Sequence, residues 1–161
     1  VLAKLNSQSR PRSSNIAESK TLKSAANVGA KDISVPLQRL GTNLLANVQI
    51  NRASVPLLLD TGASITALDT HLINKLNLAP TGQVIQISTA NGLREARLYK
   101  AHQVQLGRFT INNLTVAEID LGRNSSFKGL LGTDLLNSVN RDYAYLIDNQ
   151  RGALIFKPKN F

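Results

Sequence analysis

The chain contains no cysteine, no methionine and no tryptophan. The missing cysteine excludes disulfides, thiolate metal sites and a cysteine nucleophile. Aromatic residues are scarce, four phenylalanines and three tyrosines. None is interleaved with a basic cluster, as a base-stacking platform requires. No apolar run approaches the ~20 residues of a membrane-spanning helix. The two histidines, His71 and His102, lie far apart and lack the close spacing of a zinc site. Neither a G-x-S-x-G elbow nor a phosphate-binding P-loop occurs. No metal and no cofactor are expected, and no internal repeat is visible.

What is present suits one globular domain with a tail. The chain has 161 residues, 42% hydrophobic and 18% charged, which rules out a wholly disordered or coiled-coil chain. The net charge is +9, from 19 Lys and Arg against 10 Asp and Glu. The basic residues are scattered singly, and the longest cluster is the pair Lys157 and Lys159. That distribution reads as a solvated positive surface, and no nucleic-acid partner is expected. A basic nucleic-acid-associated domain is the alternative, and it would bind with steep salt dependence.

Residues 1–32 are rich in Ser, Asn, Ala and Lys without an apolar period, and read as a flexible basic tail or linker. The domain is expected over residues 33–161. With valine first, the chain reads as a trimmed fragment. A membrane anchor upstream and a periplasmic location are the corresponding expectations.

From Ile33 the pattern has period two: Ile33, Val35 and Leu37, then, after a turn at Gly41, Ala46, Val48 and Ile50. A polar turn near Asn51 leads into Val55-Pro56-Leu57-Leu58-Leu59, a run that suits a strand covered on both faces. One helix is predicted, capped by Asp69, with Leu72, Ile73 and Leu76 as its apolar stripe and Pro80 as its stop. Strand signals resume on both sides of Ala90-Asn91-Gly92, a hairpin tip. A strand over Phe109–Asp120, a polar loop and Gly129-Leu130-Leu131-Gly132 follow. A second short helix, Asp134–Ser138, is expected with Asp134 as its cap. Strands over Tyr143–Ile147 and Ala153–Lys157 end the chain. This is a mainly-β chain with one or two short helices.

The informative segment is Leu57-Leu58-Leu59-Asp60-Thr61-Gly62-Ala63-Ser64. A carboxylate closing a buried apolar strand costs free energy unless it is paired or functional. Asp and Gly are also common turn residues, so a bare Asp-Thr-Gly is weak by itself. Here an apolar strand precedes it, Ser64-Ile65-Thr66-Ala67-Leu68 follows it, and Gly129-Leu130-Leu131-Gly132-Thr133-Asp134 comes later.

On these two segments the chain resembles the retropepsin-like aspartic proteases, and most of all their non-viral, bacterial single-lobed members. The resemblance covers residues 33–161. It implies an all-β, closed or partly closed barrel and an aspartic endopeptidase acting on extended peptide segments. It makes Asp60 the catalytic carboxylate within the loop Asp60-Thr61-Gly62-Ala63-Ser64. Thr61 would bond across to the partner's loop, Gly62 would bring its amide to the carboxylate, and Ala63 would line the substrate floor. Thr89, Ala90, Asn91, Gly92 and Leu93 would form the flap tip over the peptide. Leu130, Leu131 and Gly132 would support the active-site loop. With one Asp-Thr-Gly per chain, the second carboxylate would be Asp60 of another copy in a homodimer. The C-terminal strand around Ala153–Phe156 is expected to enter a sheet shared between chains, as in the retroviral relatives. Two departures stand out. Thr133 occupies the place of a dimer-stabilising arginine, so a weak dimer is expected. The flap tip is also poorer in glycine. A catalytically silent peptide-binding or dimerisation module on the same fold is the rival reading.

Overall fold

The computed structural model describes residues 31–139 and 141–159. The proposed tail thus falls almost wholly outside the described residues. The strands are β1 (Ile33–Pro36), β2 (Gln38–Leu40), β3 (Asn43–Ile50), β4 (Ala53–Leu59), β5 (Ala67–Asp69), β6 (Ala79–Thr89), β7 (Gly92–Leu106), β8 (Phe109–Ile119), β9 (Gly129–Leu131), β10 (Tyr143–Asp148) and β11 (Ala153–Pro158). Two short helices, α1 (Thr70–Leu76) and α2 (Thr133–Asn137), interrupt them.

The larger sheet runs β2-β3-β4-β9-β5-β8-β7-β6, and an added β3–β7 pairing bends its middle into a ring. Six strands close that ring, and β2 and the far part of the β6–β7 hairpin project from it. Hairpin turns set most of the registers. Asn51 and Arg52 both take positive φ, 48° and 76°, the signature of the type I′ turn that matches strand twist. The Asn51 Oδ1 atom accepts the Gln103 N–H at 3.0 Å, which ties the β3–β4 turn to β7.

The period-two stretch at Ile33 divides into two strands rather than one. β1 joins a separate sheet, β1-β11-β10, whereas β2 stays with β3. Leu37 is the switch between them and donates its N–H to the Gly152 carbonyl at 2.8 Å.

β4 is covered on both faces, as its continuous apolar run requires. Val55 and Leu57 point into the main core with Leu68, Leu131, Leu135, Leu154 and Phe156. Leu58 faces a second cluster with Leu45, Ala67, Ala96, Leu98 and Leu130.

Asp69 caps α1, its carboxylate accepting the His71 N–H at 3.1 Å, and Leu72 and Ile73 are the buried stripe. The helix stops earlier than Pro80. Asn77 takes the left-handed conformation at φ 53° and closes the last turn through its N–H, so Pro80 falls inside β6. Asparagine tolerates that conformation because its short polar side chain can bond locally.

Candidate active site

Two chain segments that meet in parallel build the site. The end of β4 lies beside β9, with Leu58 opposite Leu130 and Leu59 opposite Leu131. β5 flanks β9 on its other side, antiparallel, with Ala67 opposite Leu130. The loop from Asp60 to Thr66 therefore leaves the sheet at β4 and re-enters it two strands away, over the Gly132 turn.

Asp60 is 1% exposed. Its Oδ1 atom accepts the Gly62 N–H at 2.9 Å, its own N–H donates to the Leu131 carbonyl, and its carbonyl accepts the Ala63 N–H. Glycine at position 62 eases this approach. A Cβ there would sit 3.3 Å from Asp60 Oδ1, inside ordinary contact distance. Thr61 and Ser64 are exposed, and the Thr61 side chain makes no hydrogen bond among the described residues.

The second segment holds the loop from beneath. Ala63 accepts the Thr133 N–H at 2.8 Å and the Thr133 hydroxyl at 3.3 Å. Gly132 is packed so closely that a Cβ would meet the Ala63 carbonyl oxygen and the Ile65 carbonyl carbon, each at 2.8 Å. Leu131 is fully buried in the main core and Leu130 in the second cluster. The expected loop and support residues are thus brought together.

Asp134 has another task than the one the sequence suggests. Helix α2 begins one residue early, and Gly132 occupies the cap position without a side-chain bond. The Asp134 carboxylate accepts the Thr66 N–H at 3.0 Å and the Thr66 hydroxyl at 2.7 Å, besides the Leu135 N–H. The same Thr66 hydroxyl accepts the Gly132 N–H at 3.1 Å. Sequence reasoning missed Thr66 as an organiser of the site. Its sole signal is a polar residue in an otherwise apolar stretch, Ile65 to Leu68, and its partner reads as a helix cap.

Thr89, Ala90, Asn91, Gly92 and Leu93 form the tip of the β6–β7 hairpin, with Gly92 at φ 105°. The Thr89 hydroxyl accepts the Asn91 N–H and donates to the Gly92 carbonyl, so the tip's hydrogen bonds close on themselves. Ile85 and Ile87 pack on the cluster that contains Leu58 and Leu130. Leu93 is left 70% exposed. A groove of about 500 Å³ runs between this hairpin and the end of β8, lined among others by Thr89, Asn91, Arg94, Arg97, Glu118 and Asp120. Arg97 and Glu118 approach to 3.9 Å there. Hydrogen bonding to Tyr99, then the Glu118 charge, raise the Arg97 guanidinium above its ordinary value. Among the described residues no three His, Asp or Glu side chains converge as a metal site would need.

A partly ringed sheet, an Asp-Thr-Gly loop crossed by a Leu-Leu-Gly segment, and a long hairpin define the retropepsin class of architecture. The aspartyl protease family model matches residues 46–135, more than half of the chain, and the chain belongs to that family. A retropepsin-like aspartic protease from Rickettsia conorii has a similar structure, with a TM-score of 0.58 and 26% identity over 80% of this chain and 92% of that one. The EIAV protease in an inhibitor complex shares the fold, with a TM-score of 0.50 and 24% identity over 64% of this chain and 93% of that one. No curated protein matches this chain in sequence.

Proposed function

We propose that this protein is a homodimeric aspartic endopeptidase whose catalytic pair is Asp60 from each of two chains. One observation carries the reading. The buried Asp60 carboxylate, oriented by the Gly62 N–H, sits in the only Asp-Thr-Gly of the sequence. The carboxylate that reaches the end of the same loop, Asp134, is already held by Thr66. A two-fold axis beside the loop supplies the missing acid, because symmetry sets identical residues face to face. The exposed Thr61 hydroxyl, without a hydrogen-bond partner among the described residues, suits a bond to the partner's loop.

The chemistry needs no other group. Two carboxyls a few ångströms apart share one proton, the established behaviour of aspartic proteases. The ionised member takes a proton from water as its oxygen adds to the peptide carbonyl carbon. The protonated member gives its proton to the carbonyl oxygen. As the tetrahedral adduct collapses, the C–N bond breaks and the nitrogen leaves with a proton from the pair. The β6–β7 hairpin acts as the flap, and the peptide lies extended beneath it with alternate side chains in apolar and charged pockets.

The test is digestion of a diverse peptide library across acidic to mildly alkaline pH, with Asp60→Asn as control. Cleavage by the parent protein and none by the variant supports the reading. Equal cleavage by both, or none by either, refutes it.

A further inference from the structure

The β6–β7 hairpin has two unlike faces. Ile85 stands opposite Ala96 and Ile87 opposite Arg94, so these four side chains share one face of the ladder. Ile85, Ile87 and Ala96 pack on the cluster of Leu58 and Leu130, which lie two positions before Asp60 and Gly132 respectively. Arg94 therefore projects from the face turned toward the Asp60 loop, on the side nearer the tip. Between Ile85 and Ala96 it is the one charged side chain on that face.

Three of the groove's other charges are already engaged. Arg97 lies 3.9 Å from Glu118, which also accepts the Tyr99 hydroxyl at 3.4 Å. Asp120, just past the end of β8, accepts the Gly122 N–H of its own turn at 3.0 Å. Glu95 stands opposite Gln86, on the other face of the hairpin. Arg94 differs from all of them. It is exposed, lines the groove together with Ile87, Thr89 and Ile119, and has no hydrogen bond or ion pair among the described residues. An arginine in this position holds out a forked pair of donors that matches a carboxylate.

We propose that Arg94 selects the substrate, favouring peptides that place an aspartate or glutamate side chain beneath the hairpin. The inference rests on the peptidase reading above and names the class of peptide it takes. An extended peptide turns every second side chain toward the hairpin. A carboxylate among them meets the Arg94 guanidinium beside the apolar walls Ile87 and Ile119. Those walls limit the access of water, and a charge-assisted hydrogen bond is stronger where water is scarce. The peptide's remaining side chains on that face meet Ile85 and Ile87, which favour apolar residues. In a two-fold assembly each chain brings one Arg94, so the acidic preference falls on both sides of the cleaved bond.

The test uses the full chain and capped, labelled peptides of apolar and small polar residues, with Glu, Gln or Lys at one position scanned along the peptide. Cleavage is measured as kcat/KM, and binding to the Asp60→Asn protein by fluorescence anisotropy. At one position, or at a symmetric pair, Glu should be favoured over Gln by about tenfold, the worth of one charge-assisted hydrogen bond. The preference should shrink with added salt. Arg94→Ala should bring the Glu-to-Gln ratio close to one, and Arg94→Glu should favour Lys instead. Arg94→Lys should keep only part of the preference, because lysine lacks the fork. Arg108→Ala, which removes an exposed arginine on the β7–β8 turn, should keep the parent ratio. No preference for Glu in the parent, a preference that survives Arg94→Ala, or a parent preference for Lys overturns the proposal. Cleavage without any charge preference leaves the peptidase reading standing. Arg94-dependent binding of the Glu peptides without cleavage by the parent keeps this selectivity and removes the peptidase reading. A protein that neither binds nor cleaves any of the peptides overturns both.

Discussion

Thr66 and Asp134 lie 68 positions apart and are joined by two hydrogen bonds, one from the Thr66 N–H and one from its hydroxyl. The hydroxyl simultaneously accepts the Gly132 N–H. Three elements, the end of the Asp60 loop, the Gly132 turn and helix α2, are thereby locked through one side chain that is 1% exposed.

Removing that hydroxyl should cost more than a single hydrogen bond. Thr66→Val keeps the volume but leaves the Gly132 N–H without its acceptor and removes one of the two hydrogen bonds to Asp134 Oδ1, which still accepts the Leu135 N–H. The expected loss is about 1–3 kcal/mol, read as a lower urea midpoint with an unchanged slope. Thr66→Ser should restore most of it. A Thr66→Val protein as stable as the parent would show that the bonds contribute nothing net.

Asp60→Asn should abolish peptide cleavage and leave the fold intact. Asparagine is close in shape and can still accept the Gly62 N–H through its amide oxygen. The measurement is peptidase activity alongside circular dichroism and thermal unfolding. Retained activity would rule out the carboxylate mechanism.

Gly132→Ala should destabilise the domain by about 1–3 kcal/mol, the usual range for overpacking a tight site. The added methyl would stand 2.8 Å from the Ala63 carbonyl oxygen, and backbone cannot swing aside as a flexible side chain can. Gly62→Ala should be milder for stability and harsher for activity, because its contact at 3.3 Å is the Asp60 carboxylate proposed to act on the peptide. Equal effects of both changes on urea midpoint and turnover would contradict this.

Peptidase activity should be greatest in acidic to mildly acidic solution. In the proposed pair one carboxyl would hold a proton, and a like-charged neighbour raises the pKa at which such a proton leaves. Activity therefore falls as pH rises through that upper pKa. It falls again at strongly acidic pH, when the second carboxyl is also protonated and the base is lost. A rate still climbing in alkaline solution would point to another base.

Dilution provides the matching test of assembly. If the proposed pair takes one Asp60 from each chain, the monomer should be inactive, so specific activity should decrease on dilution and recover with a peptide inhibitor that binds only the assembled site. Sedimentation on the same samples should track it. Constant specific activity into a purely monomeric range would refute the shared pair.

Much of this protein is legible along the chain. Alternation assigns β3, strand signals on both sides of Ala90-Asn91-Gly92 assign the β6–β7 hairpin, the continuous run assigns β4, and Asp60 is found because a carboxylate ends that run before a glycine turn. Asp69 reads correctly as a cap because capping is a contact of two residues. These features are local, set by the period of the side chains and the conformational limits of Gly and Asn. The tertiary structure alone decided the partners. It divided the stretch at Ile33 between two sheets, and set β4 parallel to β9, a strand too short to show a period, with β5 on the other side of β9. It turned Asp134 from a cap into the anchor of Thr66, and enclosed β11 between β1 and β10. An edge and a centre strand share the same alternation, and a carboxylate on a helix's first turn has the same sequence whether it bonds its own backbone or a loop 68 positions away. Only long-range pairing distinguishes them, because that choice lies in which surfaces exclude water together and not in any repeat along the chain.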